Sequence, residues 1–165
     1  MRAYLSGGME YVNDEGRSWR EEMEEWLASV LGWEVFNPNR NSDELLARLT
    51  PDVPFRTLKS SDPERYLQIV QEIVAVDSHE VAEGSDCVIC LWDDGAARGA
   101  GTKGELTIAR FFNKPVYLVT TMPFEEIPGW VLGCVSRRFG SFDELKRYLT
   151  DKEEGRGKKE NSMKI

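Results

Sequence analysis

Residues 77–105, DSHEVAEGSDCVICLWDDGAARGAGTKGE, begin and end on carboxylates at positions where apolar residues are expected. Val70, Val74, Asp77 and Val81 follow one another at spacings of 4, 3 and 4, which puts Asp77 on the apolar stripe of a helix. A buried carboxylate without a partner is costly. Two readings are therefore open: the helix breaks near Val76 and Asp77 caps a new turn over residues 78–80, or Asp77 is a perturbed acid of the kind enriched at sites. Glu105 has two readings as well. Thr102-Lys103-Gly104-Glu105 fits the T-x-x-E capping box, yet Glu105 also begins the stripe of Ile108, Ala109 and Phe112 and so points toward a sheet. A helix N-terminus favours its ionised form, which is the form a nucleophile requires.

The elements that must position these acids alternate between strand and helix. Residues 2–6, RAYLS, form a strand that runs into Gly7-Gly8, a loop where backbone can approach a ligand closely. Trp19, Met23, Trp26, Leu27, Val30 and Leu31 recur at helical spacing over 17–31, with Gly32 as the stop. Residues 33–36 make a second strand closed by Asn37-Pro38. Residues 39–63, with Pro51, Pro54 and Pro63, are irregular apart from a short helical possibility at 43–49. A connection of that length serves as a functional lid or an oligomer contact more often than as an idle loop. A helix from Glu64 carries Leu67, Val70, Ile73 and Val74 on one face and continues to Val81.

Residues 86–92 then form a buried strand, 102–112 a helix, 115–119 an apolar strand and 135–139 a short fifth strand. Ser141 and Glu144 are spaced as a capping box that opens a last helix to residue 149. The tail, 151–165, is polar and expected to be disordered. Such alternation, with near-continuous apolar strands, implies an α/β fold with a parallel sheet covered on both faces. Ligands in such folds bind beyond the carboxyl ends of the strands. The glycine-rich segments Ser6-Gly7-Gly8 and 93–101 both fall there.

The chain of 165 residues fits one domain, 1–150, with the insert at 39–63. Acidic residues outnumber basic ones, 29 to 21, for a net charge of -8, which argues against long nucleic acid as a partner. No apolar run reaches the roughly 18 residues of a membrane span and no signal segment opens the sequence, so the expected location is the cytoplasm. Cys87, Cys90 and Cys134 suggest no disulfide framework; Cys87 and Cys90 fall on opposite faces of their strand and read as core. Asp93-Asp94 reads as a plain loop rather than a divalent-ion site. Arg98 could hold a phosphate or be solvated, and Trp92 could stack on a base or close the end of its strand.

Taken together, YLSGG at the end of the first strand, Asp77 nine residues before Asp86, CVICL, G-T-x-x-E and the turn into K-P-V resemble the nucleoside 2-deoxyribosyltransferase family, whose relatives include hydrolases of nucleotide N-glycosidic bonds. The resemblance covers residues 2–120. It implies a flavodoxin-like (Rossmann-like) three-layer sandwich with a five-stranded parallel sheet, and a homodimer or larger homo-oligomer whose neighbouring subunits help to complete each site. It implies Glu105 as the nucleophile that attacks the anomeric carbon, Asp77 as the acid that protonates the departing base, and Tyr4 as the group that orients the nucleophile. Ser6, Gly7 and Gly8 match the loop near the sugar or 5'-phosphate, and Trp92, Asp93, Asp94, Arg98, Gly101 and Thr102 fall in the segment expected to contact substrate.

The implied partner is a small nucleoside or nucleotide, with no metal or organic cofactor. Gly99 stands six residues before Glu105, where many family members carry an acid. The alternative on the same fold is a non-catalytic nucleotide or nucleotide-sugar sensor in which Glu105 is only a cap.

Overall fold

Short apolar segments of the sequence become the strands of one all-parallel sheet in the order β2-β1-β3-β4-β5. The structure is a computed structural model that describes residues 1–162, with side chains to 155. In chain order, β1 (Arg2–Gly7) leads to α1 (Arg17–Leu31), β2 (Glu34–Phe36) and α2 (Pro38–Leu49). A 3-10 turn at Phe55–Thr57 and the short α3 (Leu58–Ser61) precede α4 (Pro63–His79), which runs into a π-helical turn at Glu80–Gly84. Next come β3 (Cys87–Leu91), α5 (Asp94–Arg98), α6 (Gly101–Phe111) and β4 (Val116–Val119). After a 3-10 turn at Phe124–Glu126, α7 (Gly129–Cys134), β5 (Arg137–Phe139) and α8 (Phe142–Ser162) complete the fold.

Strand alternation divides the core into two apolar layers. Tyr4, Val88, Cys90, Val116 and Leu118 face Ala96, Leu106, Ala109, Val131 and Cys134 from α5, α6 and α7. Ala3, Leu5, Cys87, Ile89, Tyr117 and Val119 face Met23 and Leu27 of α1 and Leu145 and Leu149 of α8. Cys87 and Cys90 therefore lie in opposite layers, as the alternation requires. Helix α1 ends at Gly32, whose φ of 65° is left-handed and lets its N–H reach the carbonyls of Leu27 and Ala28.

Three stretches differ most from the sequence expectation, and the glycine-rich segment 93–101, expected as a loop, also holds the short α5, capped by Asp93. The insert is largely helical: Asn37 accepts from Asn39 N at 3.1 Å and Pro38 occupies the first helical position, so the dipeptide that closes β2 also opens α2. Helix α4 buries Ile69 and turns Leu67 and Val74 outward, at 55% and 56% exposure, so the expected inner stripe lies partly on the outside. Helix α8 continues past residue 149, so part of the tail expected to be disordered is helical; Lys152 Nζ donates to Tyr117 Oη at 2.6 Å and anchors the extension. Residues 163–165 of that tail lie outside the described residues.

Candidate active site

Tyr4 and Ser6 stand two residues apart on β1 and so project from the same face, toward α6. The Tyr4 hydroxyl donates to Glu105 Oε1 at 3.0 Å, and Ser6 Oγ donates to Oε2. Glu105 is thus held at both oxygens by β1. Helix α6 starts at Gly101 with Ala100 in the capping position and no side-chain cap bond. The T-x-x-E tetrapeptide therefore forms no capping box, since Thr102 lies inside the first turn, 4% exposed, and Glu105 lies a turn farther in. Ser141 does cap α8 as expected, with Glu144 N donating to Ser141 Oγ at 3.3 Å, while the reciprocal bond of the box is shifted by one residue, Glu144 Oε2 accepting from Gly140 N at 2.7 Å.

Asp77 sits within α4, which does not break at Val76, so the capping reading falls there too. Its Oδ1 is buried without a hydrogen-bond partner among the described residues. Burial, and next the charge of Glu105, raise the Asp77 pKa from 3.8 to about 7, against the opposing pull of Arg20 and the Tyr4 hydroxyl. Burial also raises Glu105, but two hydroxyl donors and the Arg20 charge oppose it. When the two acids share one proton it belongs on Asp77, because the donors stabilise charge on Glu105 and leave Asp77 Oδ1 bare. Tyr4, pushed well above its usual range by burial and then by Glu105, stays a neutral donor.

Arg20 is a component of this region that the sequence reading passed over. It lies 1% exposed on the buried face of α1, in line with Met23 and Leu27. Its Nε donates to Leu5 O at 3.1 Å and its Nη2 to Gly7 O at 2.9 Å, while Nη1 reaches Glu15 O, Gly16 O and Asn39 Oδ1. The available signal was an arginine at spacing 3 and 7 from Met23 and Leu27, on an apolar stripe.

The remaining expected residues scatter over the strand ends. Gly8 packs on α5 so closely that an added Cβ would lie 2.7 Å from Ala96 N. Asp93 caps α5, accepting from Ala96 N at 2.8 Å. Asp94 and Gly101 are exposed, and Arg98, also exposed, lies with its guanidinium 4.5 Å from the Tyr11 ring centre. Trp92, 1% exposed, packs in the core beside Tyr4 and Leu106 and offers no ring face for a base. The insert docks on the start of α1 and the loop before it: Asp43 accepts twice from Arg17 at 2.7 and 2.8 Å, Arg56 pairs with Glu15 at 2.9 Å and Lys59 with Glu10 at 3.2 Å.

Fold and site together define a Rossmann-like α/β protein that brings a donor-held carboxylate and a second acid with a raised pKa together against the face of a parallel sheet. In fold, the chain is similar to the 2-deoxyribosyltransferase of the psychrotolerant bacterium Bacillus psychrosaccharolyticus, with a TM-score of 0.58 at 19% identity over 88% of this chain and 90% of that one. A conserved protein from Enterococcus faecalis V583 is similar with a TM-score of 0.59 at 14% identity, over 92% of this chain and 98% of that one. No family model matches the sequence, and no curated protein matches it.

Proposed function

We propose that this chain cleaves or transfers at the N-glycosidic bond of a nucleoside or nucleoside 5'-monophosphate through a covalent glycosyl-Glu105 intermediate. The observation that carries the reading is the Glu105 carboxylate gripped by Tyr4 and Ser6 beside an Asp77 whose Oδ1 is unpartnered. The resemblance in sequence and the likeness in fold to a 2-deoxyribosyltransferase support it.

In the first step a Glu105 oxygen bonds to the anomeric carbon as the bond to the base nitrogen breaks. The bonding pair leaves on the base, and Asp77 donates its proton there. In the second step water or an acceptor base attacks the same carbon, its proton passes to Asp77 and Glu105 is released. Tyr4 and Ser6 hold the nucleophile in line throughout. Asp93, Asp94, Arg98 and Gly101 form the rim that receives sugar, base and phosphate, Ser6, Gly7, Gly8 and Thr102 are buried and back it, and no step draws on a metal or organic cofactor. The sensor alternative needed Glu105 to be only a helix cap, and α6 has no side-chain cap bond.

Assembly as a homodimer or larger homo-oligomer belongs to the same proposal. Phe111 and Trp130, 80% and 70% exposed, line a groove between α6 and α7, and Leu67 and Val74 of α4 are also turned outward.

Incubation with a panel of deoxynucleosides and deoxynucleoside 5'-monophosphates, with and without free acceptor base, tests the chemistry. Base release or exchange is expected, with a sugar adduct on the Glu105 peptide by mass spectrometry. Glu105→Gln should lower turnover by about three orders of magnitude or more with the fold intact. No release or exchange over the panel removes the reading.

A further inference from the structure

We propose that Arg20 is the positioning residue of this site: from α1 it locks the backbone on both sides of Ser6 and keeps a buried positive charge behind the Glu105 carboxylate. The topology creates the need. Strand β2 pairs with β1 only as far as Tyr4↔Phe36, whereas β1 continues to Gly7, paired with β3 alone. Buried carbonyls beyond the end of β2 require donors. Arg20 supplies them to Leu5 O and Gly7 O, which bracket the serine whose hydroxyl holds Glu105.

Neutral donors would satisfy those carbonyls as well, so the charge needs its own explanation. All five Arg20 hydrogen bonds go to neutral oxygens and none to a carboxylate. A buried cation without a counterion is expensive. The groups that act on the two acids are Tyr4 and Ser6 from β1, Glu80 beyond the end of α4 and Arg20 from α1, with the Cys90 thiol of β3 also facing Glu105; of these, Arg20 is the cation. Of the groups that act back on Arg20, Glu105 comes first, ahead of Tyr4, Cys90 and Asp14, so the Glu105 carboxylate is its principal counterion. Removing the cation should make Glu105 harder to ionise.

Two substitutions separate charge from clamp. Carbon-13 NMR titration of the Glu105 carboxyl, assigned with Glu105→Gln, should show the midpoint rising by about one pH unit in Arg20→Gln. In Arg20→Lys the charge remains but the planar fork is lost. That variant should keep the parental midpoint while backbone amides of residues 6–8 exchange with solvent at least about tenfold faster. A parental midpoint in folded Arg20→Gln, or parental exchange in Arg20→Lys, overturns the proposal, and the lysine variant decides alone if the glutamine variant fails to fold.

The part of this proposal that concerns turnover rests on the proposed glycosidic chemistry, and there kcat should fall more than KM changes. The NMR readouts need no turnover. A moved midpoint with no base release would leave the positioning role standing and remove the chemistry.

Discussion

Asp77 carries a pH signature that can be read without any substrate. Its pKa is about 7 in the folded chain against an ordinary 3.8, so between these values the folded state binds a proton that the unfolded state has released. The stability it contributes is complete below the lower value and is lost as pH rises through the upper one, with a limiting slope of about 1.4 kcal/mol per pH unit. Asp14 and Asp43 act with the opposite sign: bonds from Ser18 and Arg17 hold their pKa values low, so their contribution is lost only as pH falls through the acid range. Asp77→Asn should therefore gain stability relative to the parent as pH rises from about 4 to about 8 in thermal melts. Its turnover should drop by about two to four orders of magnitude. A stability difference that stays level across the series would mean that Asp77 is not perturbed.

At the scale of elements, the join between β1 and α5 makes a sharp demand on one residue. A Cβ on Gly8 would lie 2.7 Å from Ala96 N and 2.8 Å from Gly95 C, both backbone atoms that cannot swing aside. Gly8→Ala should cost about 1–3 kcal/mol in chemical denaturation. An unchanged midpoint would show that α5 moves freely. Asn37→Ala should cost about 1 kcal/mol by removing the cap of α2, visible as lost helical signal or a lower melting temperature.

These joins also show how much was legible in advance. The strands and α1 were readable because apolar runs and a clean 3.6-residue stripe admit few alternatives. Capping motifs were not decisive. The hydroxyl cap forms at Ser141, where Glu144 N donates to it, but not at Thr102, because α6 begins at Gly101 and puts Thr102 past the cap. The same ambiguity hid α2, where Asn37-Pro38 reads equally well as a strand end and a helix start. Tyr4, Asp77 and Glu105 could be picked out because each is out of character for its position or matches a pattern. Arg20 was hidden by its neighbours, since a charged residue among helix positions reads as surface unless its carbonyl partners are known.

At the scale of the whole molecule, Leu67 and Val74 of α4, Phe111 of α6 and Trp130 of α7 are large exposed apolar side chains, on which the proposed assembly draws. Replacing Trp130 and Val74 together by Glu should reduce the sedimenting mass to that of one chain while circular dichroism stays unchanged. A parent that already sediments as a single chain, or a variant that keeps its assembly, would count against the oligomer.

The two bonds that hold Glu105 join residues 101 and 99 positions apart, and β1 finds its central neighbour only when β3 has been made. Parallel pairing over such a separation is slow to form, because the entropy of closing the intervening chain must be overcome first. Until it happens, both acids are hydrated and titrate as ordinary carboxylates. A nascent or partly folded chain thus lacks the grip of Tyr4 and Ser6 on Glu105, and the proposed chemistry requires the long-range pairing of β1 to be complete.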